Sequence, residues 1–466
     1  MAISTERRSV LIALLVAVAY FMENLDGTVI ATALPQMAVS FGKQAVDLNV
    51  GMSAYLLTLA LLIPASGWVS DRFGARSVFG LAIVIFTLAS VLCGFSNSLW
   101  TFTAARILQG IGGAMMVPVG RLVVLRNTPK QDLIRAIAYI TWPALAAPVL
   151  GPPVGGFLTA YATWRWIFFL NMPVGLLALA GTFWLISNDT TGHRPKLDWV
   201  GFILTGFACL SFMYGLDLIS RQDSDWARTA LTLAAGLAVG GLAIGHAKRH
   251  PAPMLELWGL RVQSFAVTIW GGSLFRIAIS SLPFLLPLLF QIAFGLNAFH
   301  AGLLVIAVFA GNLGMKPATT PILKRFGFRP TLIVTGLISA ASIFACALLT
   351  PTTPIAVILA ILFISGLARS MQFTTINTLA FADIPEPRMS GANTLFSAAQ
   401  QMSMGMGIAA GAIALRLAAL WRGSPGDNLS LGDFHLAFIA MGVFALAALA
   451  DAYFLPANAG ANLSKR

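Results

Sequence analysis

The sequence predicts an all-α integral membrane protein, and three observations lead there. Of its 466 residues, 58% are hydrophobic and only 10% charged, a balance that no soluble globular domain needs. The apolar residues fall in long unbroken runs, most of about 20 residues, the length of helix that crosses roughly 30 Å of hydrocarbon. Between two such runs the ten residues Gly67-Trp68-Val69-Ser70-Asp71-Arg72-Phe73-Gly74-Ala75-Arg76 crowd charges and glycines into a tight hydrophilic hinge, which reads as a hairpin through a bilayer. Lipid cannot satisfy exposed backbone polar groups, so runs this long are helices; a barrel would show short alternating strands instead.

In chain order, spans are expected near residues 9–33, 49–69, 77–96, 99–120, 136–159, 165–187, 199–219, 228–247, 264–290, 301–320, 331–350, 354–376, 391–416 and 434–456, about fourteen in all. The first begins after Arg7 and Arg8 and resembles a signal peptide, but it runs on into Glu23 and Asp26 with no clean small-residue cleavage site, so it is read as a retained span. The seventh and eighth are separated by the polar stretch Arg221-Gln222-Asp223-Ser224-Asp225.

The net charge of +12 reports topology rather than a nucleic-acid partner. With the N-terminus in the cytoplasm, nineteen Lys and Arg residues lie on the cytoplasmic side, among them Arg72, Arg76, Arg126, Arg194, Lys324, Arg325, Lys465 and Arg466. Six lie on the other side: Lys43, Arg165, Arg221, Arg228, Arg416 and Arg422. This asymmetry places both termini in the cytoplasm. Cys93, Cys209 and Cys346 each fall inside a span with no neighbour at ligand spacing, and they read as packing residues. The scattered His193, His246, His250, His300 and His435 supply no metal cluster or nucleophile, which argues against an intramembrane enzyme and leaves no metal expected. No Gly-x-x-x-x-Gly-Lys-Ser/Thr phosphate loop occurs, so no nucleotide cofactor is expected and an ion gradient must drive any transport.

The chain repeats itself weakly. Leu323-Lys324-Arg325-Phe326-Gly327-Phe328-Arg329 shares its Arg-Phe-Gly-x-Arg core with Ser70 to Arg76. Counting spans from each copy gives a six-helix bundle over residues 1–190, two inserted helices over 191–259, and a second six-helix bundle over 260–466. Parallel halves around a midplane cavity are the plan of a secondary transporter with alternating access.

Several segments resemble the motifs of the major facilitator superfamily. Gly67 to Arg76 is similar to its loop between spans two and three, with Ala75 where a basic residue is common. Arg106-Ile107-Leu108-Gln109-Gly110-Ile111-Gly112-Gly113-Ala114 resembles its fourth-span motif, and Gly151-Pro152-Pro153-Val154-Gly155-Gly156 its antiporter motif, whose earlier glycines appear here as Ala138 and Ala147. Leu25 to Pro35 resembles the first-span signature of the fourteen-span drug:proton antiporters, the EmrB and QacA relatives. Within that branch, Gly113 to Arg121 and Phe299 to Leu303 are similar to the MdtD-like group. The resemblance implies the major facilitator fold in a bacterial inner membrane and export of small molecules, lipophilic drugs first, against protons. It implies no cofactor beyond the proton gradient, a monomer as the simplest state, and a periplasmic adaptor as the partner some members of the branch use.

Residue chemistry assigns roles within that plan. In the loop, Gly67 lets two helices approach and Gly74 permits a tight turn. Asp71 is expected near a helix N-terminus, with Arg72 and Arg76 at the interface; the family reading makes the loop a latch. The prolines and glycines of the fifth span, Pro148 and Gly151 to Gly156, suggest a bent, closely packed helix. Glu23 and Asp26 share one helical face, and they are the carboxylates placed well inside a span. Two acids close together in a dry site trade protons readily, which suits them to exchange a proton for a substrate. Arg106 resembles the arginine that the fourth-span motif implicates in proton transfer.

Arg276, Lys316 and Arg369 are further intramembrane cations. Arg276 and Lys316 favour an alternative cargo, an endogenous organic anion or its metal chelate, over the lipophilic cations of the branch. Trp142, Gln291, Gln372, Asn377 and Gln400 are candidate cavity residues, together with Trp270, Phe275, Phe284, Phe290, Met371, Gln401 and Met402.

Overall fold

A computed structural model describes residues 5–43, 48–187, 196–220, 225–423, 429–456 and 459–460, and these form helices joined by short links, with no strand among them. The chain begins with α1 (Thr5–Phe41), α2 (Asn49–Leu62), α3 (Ser66–Phe73), α4 (Ala75–Phe95), α5 (Leu99–Asn127), α6 (Leu133–Tyr161), α7 (Trp166–Phe169) and α8 (Asn171–Leu185). Then come α9 (Trp199–Ser220) and α10 (Trp226–Arg249). The remainder comprises α11 (Gln263–Ser280), α12 (Leu282–Leu288), α13 (Ala298–Gly314), α14 (Lys316–Phe326), α15 (Phe328–Cys346), α16 (Ile355–Ala382), α17 (Met389–Arg422), α18 (Leu431–Ala447) and α19 (Ala450–Tyr453).

Twelve helical stretches among the described residues are long and apolar enough to cross a membrane, and the pair α13 and α14 makes a thirteenth if its two parts count as one bent span. All coincide with spans expected from the sequence. The fifth expected span corresponds to α6, 29 residues of continuous helix in spite of its prolines; several of its side chains, including those of Pro148 and Pro152, lie outside the described residues. Arg194, Arg221, Lys465 and Arg466 also lie outside them, as do the side chains of Ala31, Thr32, Pro35 and Phe299.

The helix breaks have local causes. Pro64 sits in the 3₁₀ turn Ile63–Ala65 that separates α2 from α3. Gly74 and Gly327, the glycines of the two repeated links, adopt φ of 85° and 79°, where a side chain would be strained. The sequence repeat is therefore a structural repeat as well. The α13–α14 break bends the pair by 50°, and Pro317 in the first turn of α14 supplies no backbone N–H to continue the helix. A π-helical turn at Leu289–Ala293 follows Pro287.

The helices group into two compact units. The first contains Met1–Ser211, Ala235–Leu257 and Pro385–Ala398, so it includes the first ten residues of α17; its packing centre joins α1, α5 and the α7 segment through Val29, Ile30, Phe102, Trp164 and Phe168. The second contains Phe212–Ala234, Trp258–Ile384 and Ala399–Arg466, and is centred on Leu285, Phe290, Ile343, Leu362, Phe434 and Phe438.

Candidate functional site

The first unit brings two of the expected charged residues into direct contact. Arg106 of α5 donates from Nη1 to Asp26 Oδ2 at 2.6 Å, and both side chains are at most 2% exposed. The opposite oxygen of Asp26 accepts from Gln109 Nε2 at 2.9 Å and from Asn171 Nδ2 at 3.1 Å. Both amides also donate to Ser90 Oγ of α4, at 2.7 and 3.2 Å. Arg106 additionally donates to Gln109 Oε1, and its guanidinium lies 4.3 Å from the centre of the Tyr55 ring of α2. Five helices thus contribute to one network, two of them donating directly to the carboxylate, and Ser90, Gln109 and Asn171 are all buried.

Such an arrangement is costly unless it is complete. A buried ion pair offsets its desolvation only when its remaining lone pairs and protons are hydrogen-bonded; both oxygens of Asp26 are, while Arg106 Nε is buried with no hydrogen-bond partner among the described residues. Arg106 and Gln109 lie three residues apart on α5 and so present one face to α1. Ser90, Asn171 and Tyr55 join them from three other helices with no sequence spacing to announce it; their only signal is a polar atom inside an apolar run.

Glu23 stands beside this network rather than within it. It is half-buried on α1, its Oε2 is buried without a hydrogen-bond partner, and it lies with Tyr55 next to Gly113 of α5: a methyl group built on that glycine would sit 3.0 Å from Tyr55 Oη and 3.5 Å from Glu23 Oε1.

The link between α3 and α4 makes several contacts within the first unit. Asp71 Oδ1 accepts from Arg126 Nη2 at 2.7 Å, at the last turn of α5, where a cation is favoured by the helix dipole. Asp71 does not cap α4, which begins at Ala75 with Gly74 in the capping position and no side-chain cap, because Asp71 is still inside α3. Arg76 donates to the Phe183 carbonyl at 3.0 Å, and Arg72 is exposed. Gly67 faces the start of α17, where Ser390 Oγ donates to the Gly67 carbonyl at 3.3 Å. A methyl group at Gly67 would stand 2.2 Å from Thr394 Oγ1, so only glycine allows this approach. One turn further along, Asn393 Nδ2 donates to the Pro118 carbonyl at 2.8 Å, and Arg121 donates to Ser397 Oγ at 3.4 Å. In the fifth-span motif, a methyl group at Gly151 would lie 2.4 Å from Thr28 Oγ1 of α1, whereas one at Gly156 would meet nothing within 4 Å. Gly155 is buried.

The interior of the second unit is basic. Lys316, at the α13–α14 break, donates from Nζ to Thr374 Oγ1 of α16 at 2.9 Å. Arg276 donates to its own helix at the Thr268 carbonyl, 3.4 Å away, and Arg369 is half-buried in mid-span. Gln372 accepts from Thr335, and Asn377 Nδ2 donates to the Phe373 carbonyl at 2.7 Å. Gln400, Gln401 and Met402 are half-buried. Phe275, Phe290 and Met371 are core residues at 0–1% exposure, while Trp142 and Trp270 are 50% and 62% exposed and Gln291 is exposed too.

The sequence profile of the Major Facilitator Superfamily matches residues 16–408. The chain belongs to this family. Within it, the chain is 37% identical over 432 residues to a Cronobacter sakazakii protein named "Putative multidrug resistance protein MdtD", with 90% of this chain and 88% of that one covered. Its namesake from Pectobacterium carotovorum is 36% identical, with 91% and 90% covered. The one from Salmonella heidelberg is 38% identical, with 84% of each covered. Two solved structures share the fold: the human organic anion transporter MFSD10 (TM-score 0.67, 14% identity, 97% and 100% covered) and the proton:xylose symporter XylE (TM-score 0.68, 17% identity, 98% of each covered). The protein is accordingly a multi-pass membrane transporter of small molecules, not an enzyme.

Proposed function

We propose that this transporter exports small lipophilic drugs from the cytoplasm in exchange for protons, by alternating access in a bacterial inner membrane. One observation carries the coupling: Asp26 is buried, paired with Arg106, and saturated by Gln109 and Asn171. A proton arriving at Asp26 from the outer side neutralises the carboxylate, weakens its hold on Arg106 and frees the guanidinium to change partners. Glu23 lies one turn away on α1, with one oxygen free to receive or relay the proton. Discharge to the cytoplasm restores the pair. The Gly67–Ser390 contact and the Asp71–Arg126 pair act as the latch of one access state. Both termini lie in the cytoplasm, the working unit is a monomer with or without a periplasmic adaptor, and the proton gradient is the energy source. The names of the relatives support drugs as the cargo.

A second reading rests on the second unit. The Lys316 ammonium is buried and donates to the Thr374 hydroxyl, and Arg276 and Arg369 add positive charge in mid-span. A basic interior favours an organic anion or its metal chelate. Proteoliposomes holding a pH dye separate the two: lipophilic cations and small anions such as citrate are added in turn, with Asp26→Asn alongside. Proton release by cations that disappears in Asp26→Asn is expected; a response to anions alone moves the assignment to metabolite export, and cation-driven release that survives in Asp26→Asn removes the carboxylate from the coupling step.

A further inference from the structure

Outside the transport network, Asp198, His246 and His250 come together in the first unit. The sequence alone did not disclose this cluster, because Asp198 lies 48 residues from His246. Asp198 precedes α9, and His246 and His250 stand one turn apart at the end of α10. One donor atom from each lies within 4.8 Å of the other two. His246 Nε2 is 2.9 and 3.1 Å from the two carboxylate oxygens, and His250 Nδ1 is 4.0 Å from Asp198 Oδ2.

We propose that Asp198, His246 and His250 bind a divalent transition metal ion of the zinc class. Two imidazole nitrogens and one carboxylate suit zinc, cobalt or nickel, and disfavour magnesium and calcium, which take oxygen ligands. Bonds of about 2.1 Å in a tetrahedral site put donors roughly 3.4 Å apart, so the present spacing needs only a small rotation of His250. Among the described residues its Nδ1 also accepts a long N–H bond from Ala252 at 3.3 Å, and its ring lies 5.1 Å from that of His246.

The carboxylate is already fixed for this role. Asp198 is 3% exposed and accepts backbone N–H groups from Gly201 at 2.8 Å and Met254 at 3.1 Å. Burial opposes its charge, but the Gly201 N–H, His246 and the Met254 N–H together outweigh burial and hold its pKa below the usual value. A methyl group at Gly201 would stand 2.1 Å from the carboxylate, so glycine is required there. The imidazoles are 22% and 35% exposed, which leaves an entry path and a fourth position for water. The neighbouring Lys248 and Arg249 are exposed and repel a cation, which weakens binding most at low ionic strength. A bound ion would tie the start of α9, the end of α10 and the segment at Met254 together.

The test is a Co²⁺ titration followed by visible absorption, and Zn²⁺ content after dialysis, on tag-free full-length protein in detergent. The parent should take up one equivalent, gain melting temperature with Zn²⁺ but not with Mg²⁺, and keep the ion in Asp26→Asn. His250→Ala should bind at least tenfold more weakly, with an unchanged metal-free melting temperature; His246→Gln should also bind at least tenfold more weakly. Absence of stoichiometric uptake by the parent, or uptake by both histidine variants with the parent's affinity, overturns the proposal and leaves a hydrogen-bonded staple between α9 and α10.

Discussion

The interiors of the two units differ more than their scaffolds. Both carry the Arg-Phe-Gly-x-Arg link with its positive-φ glycine, yet in the first unit the intramembrane arginine meets a carboxylate, whereas the Lys316 ammonium of the second unit meets a hydroxyl. A repeated backbone has diverged in its buried charge. The proposed division of labour follows: the charge-paired half has a state that a proton can switch, and the basic half has an environment that selects cargo.

The sharpest way to break this comparison is to delete one cation from each half. Arg106→Met leaves Asp26 buried without its counter-charge, a loss of about 3–5 kcal/mol for a fully desolvated pair. Lys316→Met leaves Thr374 still bonded to the Ser370 carbonyl at 3.0 Å and strands no buried carboxylate at that hydroxyl, so it should cost less than Arg106→Met. Thermal unfolding in detergent should therefore show a large drop for the first and a small one for the second. Equal drops would mean that the two sites are electrostatically alike. The double variant Asp26→Leu with Arg106→Met removes both charges together and should recover most of the lost stability, although proton release stays abolished.

The charged part of the first site was legible in the sequence because an ion inside a hydrocarbon run is too costly to be incidental. Gln109 stands only as a position within the fourth-span motif, and of these residues Asp26 and Arg106 alone declare themselves this way. Ser90, Asn171 and Tyr55 did not, since a neutral polar side chain in a span costs little and has no partner at local spacing. The helix order was read from hydropathy, and Pro317 marks the bend that splits α13 from α14, but the direction in which Lys316 then points depends on packing against α16. Asp198 and the two histidines were invisible for the opposite reason: each is ordinary in its own segment, and only the return of α10 brings them together.

Substituting the repeated glycines tests how far the scaffolds are equivalent. Gly74→Ala and Gly327→Ala each force a Cβ onto a backbone of positive φ and extended ψ (135° and 179°), at a cost of about 1–3 kcal/mol. A methyl group at Gly327 would meet no atom within 4 Å, so its cost is backbone strain alone. Matched losses in melting temperature are expected, and a much larger loss at Gly74 would show that the first link carries packing that the second lacks.

The smallest effect should separate the two links by charge. Asp71 and Arg126 are 29% and 22% exposed, so water and ions screen their attraction, and Asp71→Asn should cost no more than about 1 kcal/mol. Lys324 occupies the same register in the second copy and is exposed, and its replacement by Asn should be close to neutral. Salt discriminates the cause. If the Asp71 effect is an ion pair, the gap between parent and Asp71→Asn melting temperatures narrows as ionic strength rises, while the Lys324→Asn curve tracks the parent throughout. A gap at Asp71 that persists in high salt would point instead to the hydrogen bond itself, with Arg126 held at the end of α5 by geometry rather than by charge.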